Sequence, residues 1–176
     1  MTKKLNDPLI FDTSAVYCFG HRGGIEDVLH VFSAPYTLMT PPEAAQEVLR
    51  EQSYDYPRLL GRCFSQQQVT DSEIENEAVS KAAAVLGSGE IAVMLLARET
   101  GGTAVIDEKA ARSAARDIGL PCVGTFGLLW HAIERGWMSD AEALEAATRL
   151  KRAGFRCPST LGFATYRSYF EKLGGG

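Results

Sequence analysis

Long apolar runs are missing from this sequence. No stretch approaches the roughly 18 to 20 consecutive apolar residues that a membrane-crossing helix needs. An apolar leader is missing too, since Met1-Thr2-Lys3-Lys4-Leu5-Asn6-Asp7-Pro8 runs straight into a strand-like segment. The expectation is a cytoplasmic protein with no membrane partner. Cysteine is scarce and scattered: Cys18, Cys63, Cys122 and Cys157 form no CxxC pair, and His21, His30 and His131 show no metal-ligand spacing. That excludes a zinc site or a disulfide scaffold and predicts four reduced thiols, mostly buried as small hydrophobes. Basic residues are outnumbered, 18 Lys and Arg against 22 Asp and Glu, for a net charge of −4. Bulk positive charge that coats nucleic acid is thereby excluded, and only a local basic patch is left open. Repeats, low-complexity tracts and linkers are absent as well. With 176 residues, 45% hydrophobic and 23% charged, the chain reads as one globular domain over 1–173 with a frayed 174–176 glycine tail.

What is present is an alternation of short apolar runs and helical patterns. Leu9-Ile10-Phe11 stops at Asp12, Tyr36-Thr37-Leu38-Met39 at Thr40, and Thr103-Ala104-Val105-Ile106 at Asp107. Pro121-Cys122-Val123 gives a fourth strand. Between them, Thr40-Pro41-Pro42-Glu43 reads as a capping box opening a helix to about Glu51, with Ala45, Val48 and Leu49 inward. Helical spacing predicts further helices over 72–86, from Ser88 through the apolar Ile91 to Ala97, and over 108–118. More follow from Thr125 to Gly136, from the capping box Ser139-Asp140-Ala141-Glu142 to Gly154, and from Ser159 or Thr160 to about Leu173. Strands separated by helices imply an α/β fold with a mostly parallel sheet covered on both faces.

In such sheets, ligands bind at the carboxyl ends of the strands, where Asp12 and Asp107 stand. An aspartate after a strand is commonly only a turn former or helix cap, so either residue alone carries little; the pair carries more. Glu43 is accounted for by its capping box. Glu47, one turn on, borders the apolar stripe. Glu90 opens a helix apolar all round, and a buried carboxylate requires a partner. Four carboxylates without histidines suit a hard cation such as Mg²⁺ or Mn²⁺, the ion of phosphoryl chemistry.

The ordered set Phe11-Asp12-Thr13-Ser14-Ala15, Pro41-Pro42-Glu43-Ala44-Ala45-Gln46-Glu47-Val48, Gly87-Ser88-Gly89-Glu90-Ile91-Ala92 and Ile106-Asp107-Glu108-Lys109-Ala110-Ala111-Arg112 resembles PIN-domain proteins. Gly119-Leu120-Pro121 and Val123-Gly124-Thr125-Phe126-Gly127-Leu128-Leu129 extend the likeness across nearly the whole chain. It is most similar to the branch of predicted nucleic-acid-binding proteins related to VapC toxins. The resemblance implies a three-layer α/β/α PIN-like fold and a Mg²⁺- or Mn²⁺-dependent ribonuclease site. It carries catalytic and metal-binding roles onto Asp12, Glu47, Glu90 and Asp107, and makes Glu108 an outer acid. Thr13 and Ser14 become substrate-side hydroxyls, whereas Thr125 reads as a helix cap. Many active relatives have aspartate where Glu90 stands. Also implied are a homodimer and a small antitoxin protein that blocks the cleft. Lys109, Arg112 and Arg116 recur on one helical face beside Asp107 and are candidates for substrate phosphates, though such a face is ordinarily just solvated.

Other classes fit less of the chain. Gly87-Ser88-Gly89-Glu90-Ile91-Ala92 matches the dinucleotide pattern G-x-G-x-x-A, yet helix rather than strand precedes it and Glu90 would sit in the phosphate turn. Asp12-Thr13-Ser14 lacks the second aspartate of an aspartyl phosphotransferase. A non-catalytic PIN-like module that binds nucleic acid or protein is the remaining alternative. The aromatic C-terminal third, with Trp130, Trp137, Phe155, Tyr166, Tyr169 and Phe170, would then serve as core or interface.

Overall fold

A computed structural model describes residues 4–20, 24–52, 54–70, 86–160 and 162–173. Among these, five strands form one parallel sheet: β1 (Leu9–Phe11), β2 (Leu38–Thr40), β3 (Ser65–Gln66), β4 (Thr103–Val105) and β5 (Cys122–Val123), in the order β3-β2-β1-β4-β5. The register sets Leu9 beside Leu38 and Phe11 beside Val105. Among the described residues, nine helices accompany the sheet: α1 (Thr13–Gly20), α2 (Glu26–Ser33), α3 (Pro42–Leu49), α4 (Tyr56–Cys63), α5 (Ser88–Thr100), α6 (Lys109–Asp117), α7 (Thr125–Glu134), α8 (Asp140–Arg152) and α9 (Tyr166–Lys172).

The period of two along the strands divides the core. Leu9, Phe11 and Val105 face one apolar cluster with α1, α2, α4, α7, α8 and α9. Ile10, Ala104 and Ile106 face a second with α5 and α6. Helix α3 supplies Ala45 and Val48 to the first cluster and Ala44 to the second. The result is the expected three-layer α/β/α arrangement. No described helix is long and apolar enough to cross a membrane.

Several local expectations yield to tertiary partners. Thr40 does not cap α3; it is buried and donates its hydroxyl to the Phe11 carbonyl, and Pro41 takes the cap position. The helix stops at Leu49, which is 45% exposed rather than inward. Gly124, not Thr125, caps α7, and Thr165 rather than Ser159 or Thr160 caps α9. The Ser139–Glu142 box on α8 forms as expected. Strand β3 and helices α1, α2 and α4 add to the sequence reading, and the helix over 72–86 lies outside the described residues except for Leu86. All four cysteines are free, two buried and two half-buried.

Two glycines of opposite context test the packing. A Cβ on Gly102 would lie 2.4 Å from the Pro8 carbonyl oxygen, whereas one on Gly61 meets nothing within 4 Å. Gly102→Ala should destabilise by about 1–3 kcal/mol in urea unfolding. Gly61→Ala, inside α4, should stabilise by about 0.5–1 kcal/mol.

Candidate active site

The carboxyl edge of the sheet collects acids from four elements. Helix α1 follows β1 with no loop, so Asp12 stands at the strand's end and at the helix's start. Its N–H donates to the Val105 carbonyl at 3.0 Å. Its carboxylate accepts the Ala15 N–H at 2.6 Å and the Ser14 hydroxyl at 2.9 Å. Only 1% of Asp12 is exposed. Burial, reinforced by the negative charges of Asp107 and Glu90 and opposed by the Ala15 and Ser14 hydrogen bonds, pushes its carboxyl up to about 7.

Asp107 lies two residues beyond β4 and is held from both sides. Thr125 donates its N–H to Oδ1 at 2.8 Å and its hydroxyl to Oδ2 at 2.6 Å. Arg112 Nη1 donates to the carbonyls of Ile106 and Asp107, at 3.1 and 2.5 Å. Gly124 is required here, because a Cβ would approach Asp107 Oδ1 to 3.0 Å. The Cys18 thiol also donates to Asp107 Oδ2, at 3.4 Å. Burial and then the Asp107 charge hold that thiol well above its ordinary range, so it stays protonated.

The two glutamates share the start of α5, Glu90 as one of its first residues and Glu47 as a neighbour of Ser88 and Gly89. Glu47 accepts the Thr13 hydroxyl at 2.7 Å and the Ser88 hydroxyl at 3.4 Å, and its backbone carbonyl accepts the Tyr17 hydroxyl at 3.3 Å. A Cβ on Gly89 would lie 3.0 Å from Glu47 Oε2, so glycine lets α5 approach this acid. Glu90, next in chain, accepts the Gly87 N–H at 2.9 Å. That geometry disfavours the dinucleotide reading: the glycine turn already receives a carboxylate where a pyrophosphate would bind.

Asp12, Glu47, Glu90 and Asp107 therefore share one edge of the fold. Among the described residues, no group of three His, Cys, Asp or Glu side chains is gathered tightly enough to hold a metal ion in this arrangement. The donor chemistry still fits a hard divalent cation, because all four are carboxylates and the buried Asp12 carries an electrostatic penalty that such a charge would relieve.

The remaining candidates divide. The hydroxyls of Thr13 and Ser14 are committed to Glu47 and Asp12. The Arg112 guanidinium is half-buried on backbone carbonyls and braces Asp107, whereas Lys109, Arg116 and Glu108 are exposed. Two residues emerge that the sequence reading had set aside as caps. Thr125 grips Asp107 through two hydrogen bonds. Glu43 leaves Oε2 buried with no hydrogen-bond partner among the described residues. A concavity of about 260 Å³ lined by Tyr17, Glu51 and Phe155 opens beside the Glu47 helix, while the larger one, about 520 Å³, lies at the opposite edge of the sheet against Asp7, Thr37 and Ser65.

The Asp12 carboxyl gives a signed pH prediction. Its folded value, about 7, exceeds the ordinary 3.8, so between these values the native state holds a proton that the unfolded chain has released. Stability of the metal-free protein should fall as pH rises through that window, by on the order of 4 kcal/mol at most. Thermal melts in EDTA at pH 5 and pH 8 should show the loss in wild type and a much smaller one in Asp12→Asn. For the Asp107 clamp, Thr125→Val should cost about 1–3 kcal/mol by urea unfolding, as a half-buried carboxylate loses the hydroxyl donor of the buried Thr125, and Thr125→Ser should recover most of it.

The family model described as DUF3368, PIN domain, matches residues 8–168. No curated protein matches the chain.

Proposed function

The chain belongs to the PIN-domain family, whose members are generally nucleases, and on that premise we propose that it is a Mg²⁺- or Mn²⁺-dependent endoribonuclease and the toxin of a toxin–antitoxin pair. The observation that supports the reading is that the parallel neighbours β1 and β4 run out side by side into Asp12 and Asp107, with Asp12 buried. Asp12 and Asp107 would hold the ion, with Glu47 and Glu90 as the further acids beside it. A divalent ion bound there supplies polarisation of the phosphodiester and neutralisation of the developing charge.

The chain's own groups do the rest. Ser14 and the Ala15 N–H fix the Asp12 carboxylate, and Thr125 fixes that of Asp107. Glu90, engaged through Oε2 alone among the described residues, accepts the proton of the attacking water at Oε1. Lys109 and Arg116 are left facing solvent on α6 and meet substrate phosphates electrostatically. Arg112 is a positioning residue that keeps the Asp107 backbone in place. The proposed partners are RNA as substrate, a small antitoxin protein that closes the acidic edge, and a second copy of the chain.

Titration of Mn²⁺ and Mg²⁺ into wild type and Asp12→Asn, following bound metal and cleavage of a mixed RNA pool in the same samples, tests the mechanism. Wild type should bind and cut, and the variant should lose about two orders of magnitude or more in cleavage. Metal binding without cutting would favour a non-catalytic module instead. Expression of wild type should arrest growth and that of Asp12→Asn should not; equal growth would remove the toxin role.

A further inference from the structure

Beyond the acidic edge, helices α7 and α9 build a second feature that the proposed hydrolysis does not use. Trp130 of α7 and Phe170 of α9 stack with centroids 5.4 Å apart and planes 13° from parallel. Phe170 in turn stacks with Tyr166 at 6.0 Å and 16°. The Arg167 guanidinium lies over Trp130, 4.8 Å from the ring centroid. Aromatic pairs in the surrounding core, such as Phe163 with Tyr169 and Phe126 with Tyr169, cross at 77° and 60°. The three near-parallel planes stand apart from that edge-to-face packing.

Their exposure and charge stand apart as well. Trp130 and Phe170 are half-exposed and Arg167 is exposed. No ion pair engages Arg167 among the described residues, and its charge is directed at the ring and at solvent. In a chain of net charge −4, a cation held on an aromatic face is a specific local contact rather than part of a basic coat. This feature also connects to the acidic edge. Tyr166 donates its hydroxyl to the Phe126 carbonyl at 2.6 Å. Phe126 follows Thr125, the residue that grips Asp107, and Trp130 stands one helical turn farther along α7, about 6 Å of rise.

We propose that Trp130 and Arg167 form a base-stacking subsite for single-stranded RNA beside the carboxylate edge. Every nucleobase presents a flat π-face, so an indole platform binds without regard to sequence, and an adjacent guanidinium serves the neighbouring phosphate. In the free protein Arg167 covers the platform; with RNA bound it turns to the backbone and the base takes the ring. The inference rests on the ribonuclease reading for its ligand, and the test separates the two.

Trp137 is replaced in the background Asp12→Asn/Trp137→Phe, which leaves Trp130 as the sole tryptophan and leaves RNA uncut. Its fluorescence is titrated with oligouridylate in Mg²⁺ and, separately, with an abasic ribose-phosphate oligomer of equal length, while anisotropy of a labelled strand reports binding independently. The expected result is saturable quenching of Trp130 by oligouridylate and little by the abasic strand. Adding Arg167→Ala, a change at an exposed position, should weaken oligouridylate binding roughly tenfold while leaving the melting temperature unchanged. Binding by anisotropy with no Trp130 response, equal quenching by the abasic strand, or an unchanged affinity in Arg167→Ala would overturn the subsite and leave the ribonuclease reading standing. No binding of either strand by this background or by wild type would overturn both.

Discussion

Like charge is gathered at the ends of two neighbouring buried strands, and the surrounding helices are arranged around it. The parallel register that sets Phe11 beside Val105 also brings Asp12 and Asp107 to the same edge. Their mutual repulsion is not screened by water on the Asp12 side, where almost nothing is exposed. The neighbouring residues manage this charge by donating hydrogen bonds into it. Ser14 and the first turn of α1 address Asp12, the first residue of α7 addresses Asp107, and Thr13 addresses Glu47. A helix start serves twice in this arrangement, because the N-terminal ends of α1 and α7 direct unpaired N–H groups at carboxylates.

The same residues explain what could be read in advance. Leu9-Ile10-Phe11 and Thr103-Ala104-Val105-Ile106 are buried on both faces, so they appear in sequence as unbroken apolar runs, and the acids that terminate them stand out. The Ser139–Glu142 box was legible because all its partners lie within four residues. Thr40 and Thr125 were misread for the opposite reason: both have the composition of a cap, but a distant acceptor claims each hydroxyl. Strand β3, Ser65–Gln66, is polar and exposed at the sheet edge; its only signature is pairing with Met39 and Thr40, which no local pattern displays. For the site, residue types and approximate placement were legible, while the bracing was not. The role of Arg112 in holding the Asp107 backbone depends on the angle at which α6 leaves β4.

Glu90 illustrates how one carboxylate can serve two neighbours. Its side chain reaches back to the Gly87 N–H and so satisfies a donor at the start of α5. One carboxylate thus serves the helix with one oxygen and faces the shared edge with its charge. Across the α5–α3 contact, Gly89 does comparable work by having no side chain, since its Cα can pass close to Glu47. The width of the acidic edge is consequently set by packing as much as by the acids themselves.

Cys18 gives this arrangement an internal observer. Its thiol is buried, protonated, and hydrogen-bonded to the same Asp107 oxygen that Thr125 addresses. The S–H stretching vibration absorbs in an infrared window free of other protein bands, and its frequency follows the basicity of the acceptor. Any cation or protein segment that draws electron density from Asp107 should therefore shift the Cys18 line among those of the four free thiols. Occupancy of the acidic edge thereby acquires a readout that needs no label beyond replacement of the other three cysteines.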